Sequence, residues 1–321
     1  MHKMDFKPLP FLRGAHRQTL AGWLSARETV LSGTTVERIH LGEGDETTIH
    51  YHSPETARST SPTLILVHGL EGDCNRPYMI RIARKAGQMG FRTARMNMRW
   101  CGDAEGLSSR FYNSTHSGDV RTVCEWLRTK NPESPLWVAG FSLGGNLTLK
   151  MAAEGGVEGL AGVVAVSPPI DLHLSARAVA RKVNKAYHHY FVNSLVERAK
   201  KFLRKCGQSM TIPLSKKMTI MDFDQLFTVP LGGFSSLIDY YNQGSPKPLL
   251  HLIGCPALII AAQDDPLVPF ESFEGVNGAV RLLAPRHGGH LGFVGHRKEG
   301  DPDWRWAENR ALEFLDRECR L

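Results

Sequence analysis

From residue 63 onward, short apolar runs alternate with stretches of helical spacing. Thr63–Val67 reads TLILV, a continuous run that predicts a strand buried on both faces of a parallel sheet. Pro77–Gln88 places Met79, Ile82, Ala83 and Ala86 on one helical face. Strands are then predicted at Phe91–Asn97, Leu136–Phe141 and Leu160–Val166, with helices at Val120–Lys130 and Gly145–Ala153 between them. This alternation predicts an α/β fold, with a mostly parallel sheet covered by helices on both faces. Upstream, Thr35–His40 and Thr47–His52 predict two strands, joined as a hairpin by the turn-rich Leu41–Glu46. Residues 1 to about 30 read as an irregular arm with one short helix, punctuated by Pro8 and Pro10.

The rhythm breaks near Asp171. From there to about residue 248 the pattern is mainly helical, with several aromatic residues. Strand and helix alternation returns at Ala257–Ala262 and Ala279–Leu283, followed by a final helix at Trp304–Leu315. The organisation expected is therefore an arm (1–34), a core in two pieces (35–170 and 249–321) and a helical cap inserted between them (171–248).

Composition adds limits. The chain has 321 residues, 42% of them hydrophobic and 22% charged, which suits a globular protein with a sizeable core. Lysine and arginine exceed aspartate and glutamate by 39 to 32, for a net charge of +7. No run of five basic residues and no nucleic-acid motif accompanies that charge, so a nucleic-acid partner is not expected. No stretch of 18 apolar residues and no apolar leader occurs, so neither a membrane span nor a signal peptide is expected. The six cysteines form no zinc-ligand spacing, and reduced thiols in a cytoplasmic protein are the expectation.

The candidate chemistry starts at Gly140-Phe141-Ser142-Leu143-Gly144, a G-x-S-x-G pentapeptide. In a chain with 31 glycines that pattern carries little weight alone. Its setting between a predicted strand and a predicted helix is what the nucleophile elbow requires. A serine hydroxyl needs a base to take its proton, and the base needs a carboxylate to orient it. Asp265, with Asp264 as the alternative, follows the strand Ala257–Ala262, on the sheet edge where the elbow also lies. His290, with His287 as the alternative, sits in the glycine-rich loop after Ala279–Leu283. Candidate oxyanion donors are the backbone N–H groups of Leu143 and of Leu70, the latter in the loop His68-Gly69-Leu70-Glu71-Gly72 after the first core strand.

Together these segments resemble the α/β-hydrolase superfamily across residues 35–315, and more narrowly its YheT-like branch, AB hydrolase family 4. Beyond the motifs above, Leu12–Thr19 (LRGAHRQT), Arg76-Pro77-Tyr78 and Asn146 carry the likeness, as does His287–Phe293 (HGGHLGF). The resemblance implies an α/β-hydrolase fold, a Ser142–Asp265–His290 triad, carboxylesterase-like or lipase-like activity, and no metal or organic cofactor. The expected substrates are small-molecule esters or acyl lipids of short to medium chain. An acyltransferase with the same triad and a non-catalytic binding protein are the alternative readings. In the family's Asn-x-Arg-Gly-Cys-x-Gly segment, Trp100 stands where the family has glycine, and it is expected to narrow the pocket. Aromatic residues of the insertion, among them Phe191, Phe202 and Phe223, are expected to pack its core and wall the site. The basic helix Val196–Lys205 is read as a solvated face, with peripheral contact to anionic membrane as its functional alternative.

Overall fold

A computed structural model describes residues 6–24, 30–207, 213–276 and 278–320. The parts of the expected arm at 1–5 and 25–29, of the expected cap at 208–212, and of the expected core at 277 and 321 lie outside the described residues.

Eight strands form one sheet in the order β1-β2-β4-β3-β5-β6-β7-β8. They span Thr35–Gly42, Asp45–His52, Thr63–Val67, Arg92–Met96, Leu136–Phe141, Leu160–Val166, Ala257–Ile260 and Val280–Leu283 for β1 to β8. Strands β3 to β8 run parallel, and β1 and β2 are antiparallel additions at one edge. The continuous apolar runs have a simple cause. Ile65, Val67, Val138 and Val163 feed the core on one face, while Leu64, Leu66, Trp137 and Val164 feed the core on the other. Successive side chains point to opposite faces, so a strand covered on both sides must be apolar at every position.

The hairpin is tighter than the sequence suggests. Only Glu43 and Gly44 separate β1 from β2, and both have positive φ, 52° and 80°. That two-residue geometry matches the right-handed strand twist, so pairing extends to the turn.

Helix α1 (Ala15–Trp23) belongs to the arm. Helices α2 (Pro77–Gln88), α3 (Ser117–Lys130) and α4 (Leu143–Glu154) link the central strands, and α10 (Trp306–Cys319) ends the chain. Between β6 and β7 lie α5 (Leu172–Val179), α6 (Lys185–Lys205), α7 (Ile220–Phe223), a π-helical turn (Asp224–Thr228), α8 (Val229–Gly232) and α9 (Leu237–Gly244). Helix α6 buries Val192, Leu195, Val196, Ala199, Phe202 and Leu203 against the sheet core, at the i, i+3, i+4 spacing of one face. Among the described residues no helix is long and apolar enough to cross a membrane.

Candidate active site

Three loops at the carboxyl ends of parallel strands meet at one point. Ser142 follows β5 directly, with φ 51° and ψ −121°, and α4 begins at the next residue. Flanking glycines permit this turn. A Cβ at Gly144 would overlap the Val67 carbonyl oxygen, and one at Gly140 would overlap the carbonyl oxygen of Gly144. The strained turn lifts the Ser142 hydroxyl off the sheet edge and aims the first N–H groups of α4 at the same space.

His290 Nε2 lies 2.9 Å from Ser142 Oγ, and His290 Nδ1 lies 2.9 Å from Asp265 Oδ2. The other carboxylate oxygen of Asp265 accepts from the N–H groups of Leu267 and Val268, at 2.8 and 3.0 Å. Those bonds fix the carboxylate plane, and the side chain of His290 is only 4% exposed. With Nδ1–H donating to Asp265, Nε2 is left as the acceptor facing the serine. Asp264 and His287 form a neighbouring pair at 3.1 Å. Asp264 also accepts from the Gly289 N–H at 2.9 Å, so it shapes the histidine loop without reaching the His290 ring.

The loop after β3 closes over the serine. A Cβ on Gly69 would stand 3.2 Å from Ser142 Cβ. The Gly69 N–H donates to Tyr78 Oη at 3.0 Å, which commits that amide. Leu70 and Leu143 both line the cavity beside Ser142. His68 is fully buried. Its Nε2 accepts from the Met98 N–H at 3.0 Å, so Nδ1 carries the proton and donates to the Gly69 carbonyl at 2.8 Å. Burial pulls its pKa down to about 4, which keeps it neutral.

Glu71 is buried with positive φ (55°) one residue past Leu70. Its carboxylate takes hydrogen bonds from Tyr112 and Ser194 and an ion pair from Arg198. Arg198 and Ser194 belong to α6, so one buried carboxylate ties this loop to the inserted helices. Arg198 also donates to the Trp100 carbonyl. The helix read as a solvated basic face therefore turns one of its charges inward, and Lys201 pairs with Glu105.

Trp100 corrects an expectation. It is 1% exposed, donates Nε1–H to the Ser108 carbonyl at 2.7 Å and packs against Phe202 with centroids 5.1 Å apart. It is not among the residues lining the cavity, so it does not narrow the pocket. Its φ of 63° is the strained value that glycine would adopt freely.

The cavity beside Ser142 and His290 opens to solvent and is walled mainly by apolar side chains, including Leu172, Val179, Leu195 and Ile220. Of the insertion's expected aromatic residues, Phe191 and Phe223 reach it, whereas Phe202 and Phe227 pack behind. Tyr240 and Tyr241 also line it and carry no signal of that role in the sequence pattern.

One group of metal-type donors exists among the described residues: His50, Cys74 and Asp103, within 4.8 Å of one another. The Asp103 carboxylate is already taken by Thr48, His50 and Asn97. Burial pushes the Cys74 thiol up to about 12, which opposes the thiolate a metal needs. None of the three lines the cavity.

The eight-stranded sheet and the strained serine turn at its edge, where Ser142, His290 and Asp265 form a hydrogen-bonded chain, define an α/β fold class. The family model described as "alpha/beta hydrolase fold" matches residues 62–296, and the chain belongs to that family. It is similar to the "Putative esterase YheT" of Escherichia coli (strain K12), at 30% identity over 97% of this chain and 93% of that protein. It is also similar to "Phospholipase ABHD3" of Homo sapiens, at 26% identity over 74% of this chain. There it spans 59% of the relative's length. Among solved structures, the alpha/beta hydrolase GrgF from Penicillium sp. sh18 superposes with a TM-score of 0.59 at 19% identity, covering 90% of this chain and 99% of that one. That likeness is one of fold.

Proposed function

We propose that the protein is a serine hydrolase that cleaves carboxylic esters of short- to medium-chain acyl groups through an acyl-enzyme. The observation that carries this reading is the chain of two 2.9 Å contacts from Ser142 through His290 to Asp265, opening into an apolar cavity. His290 Nε2 takes the Ser142 proton as Oγ attacks the ester carbonyl. Asp265 holds the imidazole and stabilises the imidazolium. The N–H groups of Leu143 and Leu70 receive the oxyanion, each such donor contributing roughly 3 kcal/mol. The Gly69 amide is already engaged by Tyr78, which favours Leu70 as the donor from this loop. His290 then protonates the departing alcohol. Water enters, gives its proton to His290 and attacks the acyl-serine. Collapse of that second intermediate releases the acid and restores Ser142.

Segment 171–248 serves as the cap, with its apolar wall receiving the acyl chain. The relatives' names, "Putative esterase" and "Phospholipase", support ester substrates. The test is a series of p-nitrophenyl esters of graded acyl length on the wild-type protein and Ser142→Ala, run beside labelling with a fluorophosphonate probe. Turnover and labelling are expected for wild type and absent in the variant. Stoichiometric labelling of Ser142→Ala would falsify the assignment of the nucleophile.

A further inference from the structure

Among the described residues lining the cavity beside Ser142, Asp224 is the single carboxylate. It sits at the start of the π-helical turn Asp224–Thr228, an irregularity that often marks a functional position in a helix. Asp224 Oδ1 accepts from Thr228 Oγ1 at 2.8 Å, and Oδ2 accepts from Tyr241 Oη at 2.9 Å. Both donors are neutral. Among the described residues no lysine, arginine or histidine forms an ion pair with it, whereas the buried Glu71 and Asp45 each have an arginine. Among the described residues each oxygen accepts one side-chain hydrogen bond, which leaves it lone-pair capacity for another donor.

Burial pushes the Asp224 carboxyl up to about 6. At neutral pH and above it is ionised, at a cost that a counter-ion would offset. The surrounding walls suit a particular counter-ion. Phe111, Tyr112, Phe223, Tyr240 and Tyr241 line the same cavity, with Phe111 stacked on Tyr112 at 5.0 Å and Tyr240 against Tyr241 at 5.3 Å. A strongly hydrated ammonium would lose its water poorly among these rings. An alkylated ammonium is weakly hydrated and binds aromatic faces.

We propose that Asp224 and the rings around it form a subsite for a substrate that carries a quaternary or otherwise alkylated ammonium group. The proposal rests on the ester-hydrolase reading only in calling the ligand a substrate. Binding to the subsite does not need Ser142.

The test exploits that independence. Ser142→Ala protein at pH 8 is titrated calorimetrically with butyrylcholine and with its neutral isostere, 3,3-dimethylbutyl butyrate. Butyrylcholine is expected to bind at least about tenfold more tightly. In Ser142→Ala combined with Asp224→Asn, and again with Asp224→Ser, that ratio is expected to fall to near one. Equal affinities in the protein that retains Asp224 overturn the proposal, and that comparison stands even where neither Asp224 variant folds. A preference that survives both substitutions overturns it as well, leaving Asp224 as a brace for Tyr241. Turnover of the two esters by wild type is scored separately. Preferential binding without turnover of either ester removes the hydrolase reading and keeps the subsite. Turnover of both without preference does the reverse.

Discussion

The hydroxyl of Thr19 accepts a hydrogen bond from the backbone N–H of His290 at 2.9 Å, across 271 residues of chain. Next to it, Gln18 brackets Val294, donating to its carbonyl at 2.9 Å and accepting from its N–H at 2.8 Å. Both side chains are fully buried. Gly292 packs so closely that a Cβ there would overlap the Gln18 carbonyl oxygen. The loop carrying the candidate base is therefore docked on α1.

Replacing Thr19 with valine keeps the shape but leaves the His290 N–H buried without an acceptor, at a cost of about 1–3 kcal/mol. The expected outcome is roughly a tenfold loss in kcat with a smaller change in KM, because loosening the base perturbs chemistry more than binding. Thr19→Ser should recover most of it. Steady-state kinetics on a p-nitrophenyl ester decide the point, and an unchanged kcat in Thr19→Val would remove the arm from the mechanism.

The two adjacent aspartates should separate cleanly. Asp265→Asn is expected to cut kcat by roughly 10³- to 10⁴-fold, since an amide cannot hold the imidazole in the required tautomer or stabilise its charge. Asp264→Asn touches only His287 and the Gly289 N–H, so its loss should stay within about tenfold. Equal losses in the two variants would mean that the carboxylate role is shared.

Glu71 and Arg198 are expected to act as a unit. Arg198→Met leaves Glu71 charged and buried with only hydroxyl donors, and should lower stability by about 3–5 kcal/mol. Adding Glu71→Gln should recover part of that loss. A chemical-denaturation double-mutant cycle measures the coupling, and simple additivity of the two changes would show that the pair does not tie the loop to α6.

His68 introduces a pH dependence of defined sign. Its folded pKa of about 4 lies below the 6.5 of the unfolded chain. Between those values the unfolded state binds more protons, so stability is full above pH 6.5 and is lost as pH falls toward 4. The contribution is about 3 kcal/mol at most. His68→Gln should flatten the fall in stability between pH 7 and 4, read from denaturation midpoints across that range. Asp224 works in the opposite direction. Its raised carboxyl favours the folded state at low pH, so comparison of His68→Gln with wild type isolates the histidine.

Much of the architecture is written locally. The runs at Thr63–Val67, Leu136–Phe141 and Leu160–Val166 coincide with β3, β5 and β6 at both ends, as does Pro77–Gln88 with α2. The reason is that double-sided burial and helical amphipathicity are properties of neighbouring residues. The placement of Ser142, Asp265 and His290 at strand ends was likewise legible, since each sits beside a short motif, and the fold brings the three side chains into one hydrogen-bonded chain. Trp100 was misread because sequence reports the size of a side chain but not its direction. Its ring packs against Phe202 and is not part of the cavity lining.

The sequence by itself determined which segments become strands and helices and which three loops carry the serine, the carboxylate and the imidazole. The tertiary structure alone decided what holds those loops and what lines the cavity beside them. Thr19 under His290, Arg198 against Glu71 and Asp224 among the cavity rings are contacts between segments far apart in the chain. No local spacing encodes them, because a buried polar group chooses its partner only after the sheet and its insertion have packed.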